Sequence, residues 1–252
     1  MWEPQLFANS NSTYENLISG QIPAIIIPDV ISKSNCEKLC KNILGNQNIK
    51  SGPGISNKIG TSLNSHIYEK SKYFSNAQQS NHLIQTIFSD VKSPLFSMQK
   101  IITNISQKQI STATENSISY SDGVIRIHQN GDSVHLHRDN SNFEMSEYRV
   151  SHLKNQLSAI LYLQSPKQGG ELIIYQKKWK KEDEKMRHPE FGYSLDLIKN
   201  TPQTSISPQS GNMVILNPKF YHKIESVHGS TQRISLGFFF GEFSKSRLYS
   251  WA

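Results

Sequence analysis

The sequence predicts an α+β fold with a mainly β core: an antiparallel barrel or jelly roll in the C-terminal half, with helices of the N-terminal half packed on it. Three observations predict this. From Gly123 onward the chain is a series of short strand-like runs: VIRIHQN, SVHLHRD, LSAILYLQS, GELIIYQ, NMVILN and RISLGFFFGEF. Turn chemistry separates them, at Asn130-Gly131-Asp132, in 165–170, at Ser210-Gly211-Asn212 and at His228-Gly229-Ser230. Short strands spaced by such turns are the pattern of all-β sandwiches and barrels. Before Gly123, apolar residues recur at helical spacing instead. At 252 residues one domain is expected, with 1–122 as helical support and loops and 123–252 as the core. A chain of this length buries roughly three quarters of its unfolded surface, so no metal or disulfide is needed to fold it.

The elements follow in order. Residues 21–31 (QIPAIIIPDVI) read as a buried strand bounded by prolines. Ser32 or Ser34 can cap a helix running to about Leu44, because Cys36, Leu39, Cys40 and Ile43 recur at i, i+3, i+4, i+7, and Gly45 is a natural stop. Residues 51–65 read as a loop, and 76–96 as one helix with Leu83, Ile84, Ile87 and Phe88 on a face. Residues 102–122, rich in Ser, Thr, Asn and Gln, read as a loop or a weak strand pair. One segment interrupts the later strands: 177–200 is dense in charge and is expected to be a helical insertion closing as a lid over the barrel rim. Phe238, Phe239 and Phe240 are expected in the core, and Gly169-Gly170 as a tight turn.

Composition excludes several classes. The longest apolar runs, such as 24–27 and 238–240, fall far short of the roughly 20 residues a membrane span needs. The opening Met1-Trp2-Glu3-Pro4 lacks the pattern of a signal peptide. Cys36 and Cys40 lie one helical turn apart, a poor disulfide geometry, and two cysteines alone make no zinc site. A reducing cytoplasm is therefore expected. The formal charge is +7, but Lys and Arg are scattered, so anionic small substrates are expected rather than nucleic acid.

The sharpest motif is His135-Leu136-His137-Arg138-Asp139. Alternate side chains of a strand share a face, which would point His135, His137 and Asp139 the same way. A His and a carboxylate two apart can reach one metal, and with a second His they make the facial triad of non-heme iron(II). On its own a His-x-Asp is a weak signal. His222 supplies the second His, with Arg233 eleven residues later and Ser235 after it, a spacing that allows a turn at 228–230 and an antiparallel return. That spacing favours His222 over His228 as the distal ligand. Arg233 can grip a carboxylate bidentately and stays charged when buried. His135 is expected to support the ligands rather than join them. His128 is either pocket lining or a satisfied core histidine, and Arg126 and Arg138 are expected in solvent or in salt pairs.

The pattern HRD…H…R-x-S, the strand AILYLQS leading to GGELIIY and the terminal RISLGFFFGEF resemble the iron(II)/2-oxoglutarate-dependent dioxygenases. From about residue 120 to the end the chain looks like the indole-alkaloid halogenases of cyanobacteria and the related hydroxylases of N-substituted amino acids. The resemblance implies a double-stranded β-helix of the jelly-roll or cupin type. It implies Fe(II), 2-oxoglutarate and O2 as cofactors and co-substrates, with His137, Asp139 and His222 as iron ligands. It also implies Arg233, with Ser235 and Tyr162, at the far carboxylate of 2-oxoglutarate; His128, on the preceding strand, is counted with these cofactor-binding residues. The halogenases carry Gly or Ala where Asp139 stands, which opens an iron position for chloride; the carboxylate here implies a hydroxylase-type site. The expected activity is hydroxylation of an unactivated C–H of a small molecule, an amino acid derivative or specialised metabolite, with release of succinate and carbon dioxide. Desaturation, cyclisation or epimerisation with the same cofactors is the alternative. A halogenase or a non-catalytic cupin-like binding protein fits the residues less well. No nucleic acid or membrane partner is expected, and a homodimer is left open.

Overall fold

Side chains alternate in direction along a strand, and here that alternation sorts apolar from polar residues. Along Arg233–Ser244, residues Ile234, Leu236, Phe238 and Phe240 join one apolar core, while Arg233 and Ser235 turn the other way. Along Val124–His128, Ile125 and Ile127 join the same core, and Arg126 and His128 turn away from it. A computed structural model describing residues 2–6, 11–47, 49–52 and 55–252 shows what this sorting builds.

The fold is a mixed α/β arrangement around a large sheet of ten strands. Its order runs Gln5–Leu6, Ala24–Ile27, Met213–Leu216, Lys154–Gln164, Arg233–Ser244, Val124–His128, Ile55–Ile59, Lys50–Gly52, with Arg247–Trp251 and Gln109–Thr112 attached beside Arg233–Ser244. A smaller sheet of four strands runs Gln203–Ile206, Leu172–Lys178, Phe220–Ile224, Val134–His137. The helices Asn11–Ser19, Lys33–Leu44, Lys70–Ile87 and Pro94–Ser106 supply Leu17, Leu39, Ile43, Ile84, Met98 and Ile102 to the core on one face of the large sheet. Its other face packs on the small sheet, through Tyr162, Val214 and Leu216 against Leu172, Ile174, Ile206 and Phe220. The two sheets do not close into the expected barrel.

The Lys33–Leu44 helix is capped as expected: the Ser32 side chain accepts from the Asn35 amide, and Cys36, Leu39, Cys40 and Ile43 are buried. Other expectations are corrected. The single helix over 76–96 is two helices, Lys70–Ile87 and Pro94–Ser106. Pro94 lacks the amide that a continuing helix needs, and it starts a new one at a position where Pro is favoured, with Ser93 capping the Phe96 amide. That second helix covers 102–106, and Gln109–Thr112 then forms a strand. The loop expected over 51–65 contains strand residues through Ile59 and a short 3-10 turn, Leu63–His66; residues 53 and 54 lie outside the described residues. The N-terminal half thus adds strands to the large sheet as well as helices to its face. The 177–200 segment is not a helix. It forms two 3-10 turns, Lys181–Met186 and Leu195–Ile198, and packs Tyr193 and Leu197 on the small sheet with Leu136, Ile173, Tyr175 and Tyr221. Pro189 lacks the amide that a continuing helix needs and Gly192 takes a φ of +87°, so no continuous helix runs through the segment. Among the described residues, no helix is long and apolar enough to cross a membrane.

Candidate active site

The site forms between the two sheets. His137 and His222 are register partners on adjacent antiparallel strands, so their rings stand side by side with centroids 4.1 Å apart. Each imidazole is fixed by its own strand: Nδ1 of His137 lies 2.8 Å from the His135 carbonyl, and Nδ1 of His222 lies 2.9 Å from the Phe220 carbonyl. A carbonyl only accepts, so each Nδ1 carries the proton and each Nε2 presents its lone pair. Carbonyl-oriented histidines of this kind are a common support for metal ligands. Asp139 follows the His137 strand, and its amide donates to the Pro218 carbonyl at 2.9 Å. Its Oδ2 lies 3.4 Å from Nε2 of His222 and 3.9 Å from Nε2 of His137. The three donor atoms all fall within 4.8 Å of one another, a group able to hold one metal ion.

The charges suit a cation. Burial, followed by the neighbouring His222, pushes His137 down to about 4, which keeps it neutral and able to ligate. Burial alone would raise Asp139, but the close approach of His222, then the fields of His137 and Arg126, hold it near 2. His135 is exposed, and His228 lies on a separate two-stranded ribbon with Gln168–Gly169; neither belongs to the group.

A second cluster lies on the large sheet. Arg233 is 0% exposed. Its Nε donates to the Gly170 carbonyl at 3.0 Å and its Nη1 to Ser235 Oγ at 3.3 Å, while Nη2 has no partner. The guanidinium lies 5.0 Å from the centre of the Tyr162 ring. The Tyr162 hydroxyl and both His128 nitrogens are buried without partners. His128, opposite Arg233 in register, is held down at about 3 by burial and then by the charges of Arg233 and Arg126. Arg233 has no ion-pair partner among the described residues. Buried polar groups normally find partners and buried charges are normally paired, so an anion here would meet a guanidinium that no described side chain neutralises.

Sequence reasoning missed three parts of this arrangement. Gly170 is more than a turn: its φ is +75°, its carbonyl holds Arg233, and a Cβ there would stand 2.9 Å from Cδ of Arg233. Arg126, expected in solvent or a salt pair, is half-buried on the site side of its strand. The third is a position: Phe191, an aromatic of the expected lid at the tip of the 177–200 segment, is 45% exposed with its ring 5.3 Å from the His137 ring. The salt pair expected for Arg138 is present. This buried side chain lies 2.8 Å from Glu144 and 3.1 Å from Glu184 and sits over the Trp179 ring, fastening the 177–200 segment behind the ligand strand.

Residues 5–252 match the family model described as the carrier-protein-independent halogenase WelO5. The chain belongs to this family. A curated relative, L-gamma-glutamyl-L-propargylglycine hydroxylase of Streptantibioticus cattleyicolor, is 26% identical over 48% of the chain and 45% of the relative. The chain spans about half the length of the curated relatives it matches. An N-substituted L-amino acid dioxygenase of Burkholderia ambifaria, solved in complex with alpha-KG, superposes with a TM-score of 0.63 at 12% identity, over 96% of this chain and 90% of that one. HygX of Streptomyces hygroscopicus, solved with nickel and 2-oxoglutarate bound, gives 0.53 at 14% identity, over 91% and 87%. At such identities the likeness is one of fold.

Proposed function

We propose that the chain is an iron(II)- and 2-oxoglutarate-dependent oxygenase that hydroxylates a C–H bond of a small molecule, an amino acid derivative or a specialised metabolite. One observation carries the reading: the two Nε2 lone pairs and the Asp139 carboxylate come together on one side of the seam between the sheets, and a buried guanidinium without an ion-pair partner among the described residues stands on the large sheet. His137, Asp139 and His222 would hold Fe(II), and three such donors suit a non-heme iron site that leaves positions open for co-substrate and O2. Arg233 and Ser235, with Tyr162, would hold the far carboxylate of 2-oxoglutarate, and His128 would close the pocket beside it. Iron with 2-oxoglutarate supplies the oxidising chemistry, converting the keto acid and O2 to succinate and carbon dioxide while oxygen enters the substrate. The residues of this chain bind, orient and shield. The Phe220 and His135 carbonyls fix the ligand rings, Gly170 fixes Arg233, and the facing sheets keep water from the far carboxylate. The same reading makes the two sheets the walls of a jelly roll, and the free buried thiols of Cys36 and Cys40 suit the cytoplasm.

Asp139 also decides between hydroxylation and halogenation within this family. A carboxylate at that position fills the place a chloride would take. The test is turnover with Fe(II) and 2-oxoglutarate over a panel of N-substituted amino acids in excess chloride, followed by mass spectrometry. A product that gains oxygen without chlorine, matched by succinate, is expected. A chlorinated product would overturn the role of Asp139, and absence of any 2-oxoglutarate turnover would overturn the oxygenase reading.

A further inference from the structure

We propose that Arg126 is a second carboxylate-binding residue of the pocket, holding a carboxylate beside the metal position while Arg233 holds the far end of 2-oxoglutarate; this rests on the oxygenase reading. Arg126 is the register partner of Ser235, and His128 that of Arg233, so all four belong to one face of the large sheet. Gly237 carries no side chain, and Nη1 of Arg126 lies 3.8 Å from where its Cβ would stand. The guanidinium therefore lies along the sheet one step beyond Ser235. Arg126 is half-buried, and it makes no hydrogen bond or ion pair among the described residues. The side chains whose charges act on it are Asp139, which attracts it, and Arg233, which repels it. Lys58, its register partner on the other side, is also basic.

Asp139 does not satisfy Arg126, because its Oδ2 faces the two histidines. With a divalent ion on the triad, the pocket holds that ion and two guanidiniums against a single carboxylate. The two carboxylates of 2-oxoglutarate leave one positive charge over, and a further carboxylate would balance it. That charge balance favours a carboxylate carried by the substrate. The keto-acid end of 2-oxoglutarate is the other source of the same chemistry.

Calorimetry on the nickel-loaded protein, which binds without turning over, separates the sources. The probes are 2-oxoglutarate, 2-oxobutyrate, which has the keto-acid end but no far carboxylate, and N-acetyl-L-leucine added to the nickel and 2-oxoglutarate complex. Arg126→Gln should weaken one of them by about tenfold to a hundredfold, as loss of a hydrogen bond to a charged group does. Arg126→Lys should recover part of the loss. Weaker 2-oxobutyrate assigns Arg126 to the keto-acid end; weaker N-acetyl-L-leucine with unchanged keto acids assigns it to the substrate. A folded Arg126→Gln protein whose measured affinities all equal those of the wild type overturns the proposal. Arg233→Gln, run in parallel, isolates the underlying reading. If it too leaves 2-oxoglutarate binding unchanged, the oxygenase assignment fails and this inference fails with it.

Discussion

Arg233 sits fully buried with Nη2 unpaired, and a guanidinium left without a counter-charge in such a place costs several kcal/mol. A bound dicarboxylate offsets that cost, so Arg233→Ala should weaken 2-oxoglutarate by about 2–5 kcal/mol. Arg233→Lys should regain only part, because an ammonium cannot reproduce the planar fork. Titration of 2-oxoglutarate into each metal-loaded variant reads this directly, and an unchanged affinity in the Ala variant refutes the role. Gly170→Ala adds a methyl 2.9 Å from Cδ of Arg233 at a φ of +75°. It should lower stability by about 1–3 kcal/mol, the cost of strain at such a backbone position. It should also weaken 2-oxoglutarate while leaving metal binding near wild type, as equilibrium unfolding and the same titration would report. His137, His222, Asp139 and Arg233 were legible because spacing along one chain carries them: Asp139 stands two positions after His137, and Arg233 eleven positions after His222. Gly170 and Arg126 were not, because their roles depend on which strands are neighbours, and a single sequence does not print register.

Elements were legible where one face is apolar at a fixed period. The Lys33–Leu44 helix and the Arg233–Ser244 strand are of that kind. The break before Pro94 is hidden because apolar residues recur on both sides of it, and Ser93-Pro94 alone marks the new start. The charge density of the 177–200 segment resembles that of a solvated helix, whereas much of its structure comes from an acidic hub at Glu184. Oε1 of Glu184 accepts from the Trp179 indole at 2.6 Å, from the Tyr193 hydroxyl at 2.6 Å and from Arg138 at 3.1 Å. A lid made of the whole segment would have to break this hub. Closure over substrate is expected only at the tip, 188–191, where Phe191 stands beside His137. Hydrogen exchange should find 180–187 and Tyr193 protected without substrate and the tip open. Glu184→Ala should raise exchange across 180–194 while the large sheet stays unchanged; uniform slow exchange in that variant would show that the hub does not hold the segment.

Across the molecule, the layering of helices, large sheet, small sheet and insertion leaves a polar seam between the sheets. That seam makes the apoprotein sensitive to acid. His128 is 0% exposed and held at about 3 by burial and then by Arg233 and Arg126, against about 6.5 when unfolded. Above that unfolded value neither state takes the proton. Below it the unfolded chain takes it first, so the contribution present at neutral pH is lost as pH falls from about 6.5 toward 3. The slope is up to about 1.4 kcal/mol per pH unit for this one proton. Denaturant titrations between pH 4 and 7, in steps of roughly one unit, should show a shallower loss for His128→Gln than for the wild type; parallel slopes would mean that His128 is not held neutral. The general two-layer β core was legible from the rhythm of strands and turns, whereas the strands added from the first half of the chain were not, since runs such as Ile55–Ile59 and Gln109–Thr112 are short and largely polar. In the reading proposed above, His137, Asp139 and His222 hold the metal and Arg233 holds the far carboxylate of 2-oxoglutarate. A crystal structure with nickel(II) and 2-oxoglutarate tests it most directly. The account predicts one ion at about 2.0–2.2 Å from Nε2 of both histidines and from an Asp139 oxygen, distances usual for nitrogen and oxygen donors, with the co-substrate carboxylate paired to Arg233; an ion ligated by His228 in place of His222, or a 2-oxoglutarate turned away from Arg233, would contradict it.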